Sequence, residues 1–190
     1  MPYNVPSLYG LLKLERAPRP SPTFLIPIDL EANMNQPPLS DSEPQHQLAP
    51  AGGSEQDWIN WANSFACMGP LGLQCRSVTP EGTEFVMSDI DFPLNPNGAL
   101  HGGIVTAAAD QVMGIVAARA SAADYVPVTG SLHVQFHSPA MLPLTIRGFL
   151  LPSGFRTKFV EVVVEDETGR RCATAHATML SARATHRFGQ

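Results

Sequence analysis

Apolar residues recur at three- and four-residue spacing over Trp58, Trp61, Ala62 and Phe65, which is the period of an amphipathic helix. Ser54 stands where an N-cap belongs, Asp57 follows three residues on near the positive helix end, and Gly69-Pro70 is a stop. Two short strand-like runs come next, Leu73–Val78 and residues 84–90, and the turn residues Pro80-Glu81-Gly82 between them predict a hairpin. After a Pro- and Asn-rich loop over residues 92–98, the run 103–121 is rich in Ala, Val, Ile and Met, with Asp110 and Arg119 as its charges. A helix apolar almost all round is expected to be central and buried. The rest alternates as strands over residues 126–137, 142–151, 155–166 and 171–182, broken at Ser138-Pro139, Pro152-Ser153-Gly154 and Glu167-Thr168-Gly169. Helix, two strands, buried helix and four strands make an α+β fold, in which an antiparallel sheet curls around one central helix.

Composition divides the chain. Of its 18 prolines, ten lie in the first fifty residues, and residues 33–53 are almost wholly polar, Pro and Gly. Residues 1–53 are therefore expected to be an N-terminal extension or arm, and residues 54–190 the folded domain. Within the arm, the run FLIPIDL at residues 24–30 is apolar enough to lie against a surface, such as that of a neighbouring subunit. A net charge of -5 argues against nucleic acid held by phosphate neutralisation and against a polybasic membrane anchor. Three cysteines without CxxC spacing fit a reducing cytoplasm, and neither a membrane span nor a signal peptide is read.

The informative stretch is Asn95-Pro-Asn-Gly-Ala-Leu-His101-Gly102-Gly103, which runs into a helix containing Asp110. Two glycines at a loop-to-helix junction allow close backbone approach and leave free amides where the helix dipole places about +0.5 charge. That junction suits an anion or a developing oxyanion. A carboxylate at Asp110 is expected to be paired, for example with Arg119, raised in pKa, or working.

The spacing of Asn95, His101-Gly102-Gly103 and Asp110 resembles the motif of the PaaI-type hotdog thioesterases, and Leu132-His-Val-Gln-Phe-His-Ser-Pro-Ala140 resembles the strand that follows the helix in that family. The resemblance covers roughly residues 69–183. It implies a hotdog fold, a homodimer or dimer of dimers, and cofactor-independent hydrolysis of acyl-CoA thioesters. It further implies that Asp110 is the nucleophile or general base and that the Gly102 amide polarises the thioester carbonyl. Asn95 and His101 would position the thioester or the attacking water, and Thr129 would bond to that water or to Asp110. Gly103 adjoins the same helix end. Arg156 and Lys158 are the best candidates for the CoA phosphates.

Geometry adds a constraint of its own. Gly102 and Asp110 are eight residues apart, about 12 Å along a helix, whereas an oxyanion donor and an attacking group must both lie within about 3 Å of one thioester. Two copies with antiparallel helices would bring Gly102 of one to Asp110 of the other.

Other residues are read structurally. His133, Gln135 and His137 share a strand face and, with His176, raise a metal site, but no fourth ligand or carboxylate spacing accompanies them. Cys67, Cys75 and Cys172 are expected to be inert and Trp58, Trp61 and Phe65 to be core, and without G-x-S-x-G a serine α/β-hydrolase mechanism is not supported. Two rivals to hydrolysis stand: an enoyl-thioester hydratase recruiting His101, and a non-catalytic acyl-CoA-binding module.

Overall fold

The computed structural model describes residues 49–183. Most of the arm, FLIPIDL included, lies outside the described residues. Helix α1 (Glu55–Asn63) opens on a reciprocal cap, with the Ser54 hydroxyl accepting from the Asp57 amide and the Asp57 carboxylate accepting from the Ser54 amide at 2.8 Å. The Ser54 hydroxyl, which donates to the Asp57 carboxylate at 2.7 Å, and then the Ser54 amide hold that carboxyl below its ordinary pKa. The helix ends six residues before Gly69, because the Ser64 hydroxyl and amide both donate to the Trp61 carbonyl. Phe65 keeps the apolar spacing from the following turns, with its ring 4.9 Å from that of Trp61.

Strands β1 (Leu73–Val78) and β2 (Thr83–Met87) form the expected hairpin. Helix α2 (Gly102–Arg119) follows, then β3 (Tyr125–Phe136), β4 (Leu144–Leu150), β5 (Thr157–Asp166) and β6 (Arg171–Arg183). All six strands join one antiparallel sheet in the order β1-β2-β4-β5-β6-β3. The chain after α2 thus crosses to the far edge before filling the centre, and β3 is an edge strand twelve residues long.

Alternation assigns the two faces of the sheet. Leu144 and Ile146 of β4, Val160, Val162 and Val164 of β5, and Ala175, Ala177 and Met179 of β6 are buried in one core with Val105, Ala108, Val112, Met113 and Val116 of α2. The opposite face is ionic at its centre: Arg147 bridges Glu84 at 2.9 Å and Glu165 at 2.7 Å across three strands, and His176 meets Glu161 at 2.9 Å. One glycine sets how near the helix comes. A Cβ on Gly148 would lie 2.7 Å from Val116 Cγ2 and 2.9 Å from both Thr83 Oγ1 and Val112 Cγ1.

The expectation that α2 is buried all round needs correction. Its stripe at Gly103, Ala107, Asp110 and Gly114 is exposed or half-buried, because the sheet covers one side of the helix. Ala and Gly are compatible with either environment, so composition concealed an open face. No helix among the described residues is long and apolar enough to cross a membrane.

Replacing Gly148 by Ala is expected to push α2 off the sheet and cost about 1 to 3 kcal/mol, the usual range for overpacking. Chemical denaturation measures it, and an unchanged midpoint would show that the helix has slack there.

Candidate active site

The loop before α2 is built around Asn95. Its side-chain oxygen accepts from the amides of Asn97 at 2.9 Å and Ala99 at 3.1 Å, and its backbone amide donates to the Ala99 carbonyl at 2.8 Å. Gly98 supplies the left-handed residue of this turn, at φ 74°. The loop delivers Ala99 and Leu100 into the core and leaves His101 as the N-cap of α2.

His101 then decides which amide stays open. Its Nδ1 accepts from the Gly103 amide at 3.1 Å, which places the proton of the neutral ring on Nε2. The next amides, of Ile104 and Val105, donate to the His101 carbonyl. The Gly102 amide has no acceptor among the described residues and points out of the helix end where the dipole favours negative charge. Of the two glycines, Gly102 therefore carries the available donor and Gly103 the capped one.

A wall that the sequence reading missed stands beside Gly102. A Cβ there would lie 3.1 Å from Phe136 Cζ, so the ring of the last β3 residue rests against the bare Cα. Phe136 stays 53% exposed. Together with Asn95, Gly102, Val105, His137 and Ala140 it lines a cavity of about 350 Å³. The signal was present in the alternation, since Phe136 shares a face with Leu132 and Val134, which pack on the core.

Asp110 lies two turns along α2, half-buried, and accepts a hydrogen bond from the Thr129 hydroxyl at 2.8 Å. Thr129 reaches it because β3 is irregular at that point, with register against β6 shifting between Thr129 and Ser131. The alternative pairing of Asp110 with Arg119 is absent: Arg119 stacks over the Trp58 ring, its Cζ 5.1 Å from the centroid. Within one chain β3 thus runs from Asp110, at Thr129, to Gly102, at Phe136.

The two basic candidates diverge. Arg156 is exposed, whereas Lys158 is buried and its ammonium donates to the carbonyls of Gly154 at 2.8 Å and Phe155 at 2.9 Å. Lys158 shares its face with Val160 and Val162, so its charge is spent inside the fold and is not presented to a phosphate. His133 and His176 are cross-strand partners, but no group of three or more His, Cys, Asp or Glu among the described residues is arranged to hold a metal ion. Burial pushes the Cys75 thiol up to about 11 and raises that of Cys67, which leaves neither as a ready nucleophile.

Residues 97–173 match the family model of the thioesterase superfamily. That span opens in the loop before α2 and ends early in β6, so it includes Gly102, Asp110, Thr129 and Phe136. No curated protein matches the chain by sequence. Among solved structures, the chain is similar to AziG of S. sahachiroi at 27% identity, over 60% of this chain and 93% of that one, with a TM-score of 0.55. It is similar to smu.793 of Streptococcus mutans, solved with acetyl CoA bound, at 25% identity over 58% and 89% of the two chains, with a TM-score of 0.53. Thioesterase HI1161 of Haemophilus influenzae shares the fold at 15% identity, over 72% and 96%, with a TM-score of 0.63. The architecture is the hotdog fold that the chain shares with thioesterase HI1161, an antiparallel sheet laid over one long helix.

Gly102→Ala is expected to cost about 1 kcal/mol as the Phe136 ring is displaced. In a Phe136→Ala background that cost should vanish, giving a coupling of at least about 0.5 kcal/mol in a double-mutant cycle read by denaturation. Additive effects would show that ring and glycine are independent.

Proposed function

We propose that the protein hydrolyses acyl-CoA thioesters to the free acid and CoA, at sites shared between two copies of the chain. The observation that carries this reading is the pairing of one open helix-end amide, at Gly102, with one carboxylate held by a hydroxyl, Asp110 with Thr129. The match of residues 97–173 to the thioesterase superfamily supports the reaction class, and acetyl CoA in the smu.793 structure supports the substrate class.

The chemistry follows from the groups. The thioester carbonyl oxygen accepts from the Gly102 amide, and an oxyanion forming there gains charge-assisted stabilisation, a contribution typically worth about 3 to 4 kcal/mol per donor. Asp110 either takes a proton from a water attacking the carbonyl carbon and passes it to the departing CoA thiolate, giving acid and thiol directly, or attacks that carbon itself. In the second case it expels the thiolate and leaves an acyl–Asp110 anhydride that water then hydrolyses to the free acid. Thr129 holds one carboxylate oxygen, orienting the other toward the substrate. Asn95 retains its side-chain amide protons as donors beside Gly102, and His101 sets the loop geometry. Arg156, and not Lys158, is the available cation for the CoA phosphates. We read the PaaI-type subgroup from the Asn95, His101-Gly102-Gly103 and Asp110 spacing, and the reaction needs no cofactor.

Eight residues of rigid helix keep Gly102 from the Asp110 of its own chain, and the remedy lies in β3. Gly102 sits against one end of this edge strand and Asp110 is bonded to the other. If two copies pair through β3 about a two-fold axis at His133, Leu132 falls opposite the partner's Val134, and the irregular Thr129–Gly130 step falls opposite the partner's Phe136. Inner-face residues then meet inner-face residues, as the pleat demands. The partner's Gly102 arrives beside Asp110, and the axis makes two such sites.

Release of thiol from a panel of acyl-CoAs tests the reaction. Asp110→Asn is nearly isosteric, so it should keep the fold and lower kcat by about two to four orders of magnitude. Thiol release by Asp110→Asn at the wild-type rate would make the residue structural, and hydration without thiol release would move the protein to another reaction.

A further inference from the structure

The three buried side-chain polar atoms that lack a hydrogen-bond partner among the described residues are Trp58 Nε1, Thr83 Oγ1 and Arg119 Nε. They are not scattered. Arg119 stacks on Trp58, and Arg119 and Thr83 both line one cavity of about 180 Å³ at the far end of α2 from Gly102. Native proteins pair such groups almost without exception, so two of these three, Arg119 Nε and Thr83 Oγ1, on residues that line one cavity point to a missing partner there.

Their chemistry says what kind. Two are N–H donors that accept nothing, and the third is a hydroxyl on a side chain only 5% exposed. Arg119 forms no ion pair among the described residues, although its charge is permanent. The complement to this set is an acceptor-rich anion. The remaining wall is apolar, from Pro80 of the hairpin turn, Val116 and Ala120 of α2, and Leu150 at the end of β4. At about 30 Å³ for a water-sized group, the space takes about six heavy atoms.

We infer that this cavity is a second ligand site, separate from the Gly102–Asp110 site, for a short-chain monocarboxylate of about butanoate size. The carboxylate would pair with the Arg119 guanidinium beside the Thr83 hydroxyl, with the alkyl group against Val116, Ala120 and Leu150. Nothing in this assignment depends on thioester hydrolysis.

The Trp58 indole N–H supplies the readout, since it lies under Arg119 and the chain has only one other tryptophan. In the full-length protein, with Trp61→Phe assigning the resonance, sodium butanoate should shift the Trp58 indole N–H signal saturably. Butanamide and sodium chloride at equal ionic strength should not. Arg119→Met keeps a long chain over Trp58 and should weaken butanoate binding at least tenfold, and Thr83→Val, nearly isosteric, should weaken it severalfold. If Arg119→Met does not fold, Thr83→Val alone decides. No saturable shift in the wild type, an equal shift with butanamide, or undiminished binding in the folded variants would leave the cavity to water and overturn the assignment.

Discussion

One rigid helix laid across one face of a sheet governs this protein. Because α2 buries Val105, Ala108, Val112, Met113 and Val116 against β4, β5 and β6, neither its position nor its rotation is free. The same packing that stabilises the fold therefore fixes where its N-terminal amide and its one acid point. The glycine at position 148 sharpens the constraint by letting the helix approach closer than any side chain would allow.

For the proposed chemistry, rigidity also makes the single chain insufficient. A loop could bend to bring an oxyanion donor to a carboxylate, but a helix cannot shorten eight residues of rise. Asp110 is open on the side of α2 that the sheet does not cover, and β3, which touches both Gly102 and Asp110, is left at the sheet edge with its outer ladder unpaired among the described residues. An unpaired edge of this length is a liability unless something covers it. In the proposed dimer one contact answers both needs, completing the ladder and the site together.

Much of this was legible in the residues, for local reasons. The Ser54–Asp57 cap and the hairpin at Pro80-Glu81-Gly82 rest on chemistry within a few residues, and β1 falls where its alternation put it. The end of α1 was not legible, because Phe65 packs on Trp61 from a turn and extends an apolar spacing that no longer belongs to a helix. The open stripe of α2 was hidden by residues indifferent to water. Lys158 was readable but misassigned: its parity with Val160, Val162 and Val164 turns it inward, and a charged residue in a valine run needs a buried use such as the two carbonyls it caps. His101 shows the opposite case, since sequence placed it at the helix end but could not tell that it would occupy the Gly103 amide and leave that of Gly102 open.

The shared site is tested most directly by mixing subunits. Gly102→Pro removes the open amide at a first helical position where proline is tolerated, and Asp110→Asn removes the base. Each homodimer should be inactive. In a purified heterodimer of the two, one site carries both defects and the other neither, so thiol release should return to about half the wild-type rate per dimer. Heterodimers that form but recover no activity would contradict a site divided between two copies.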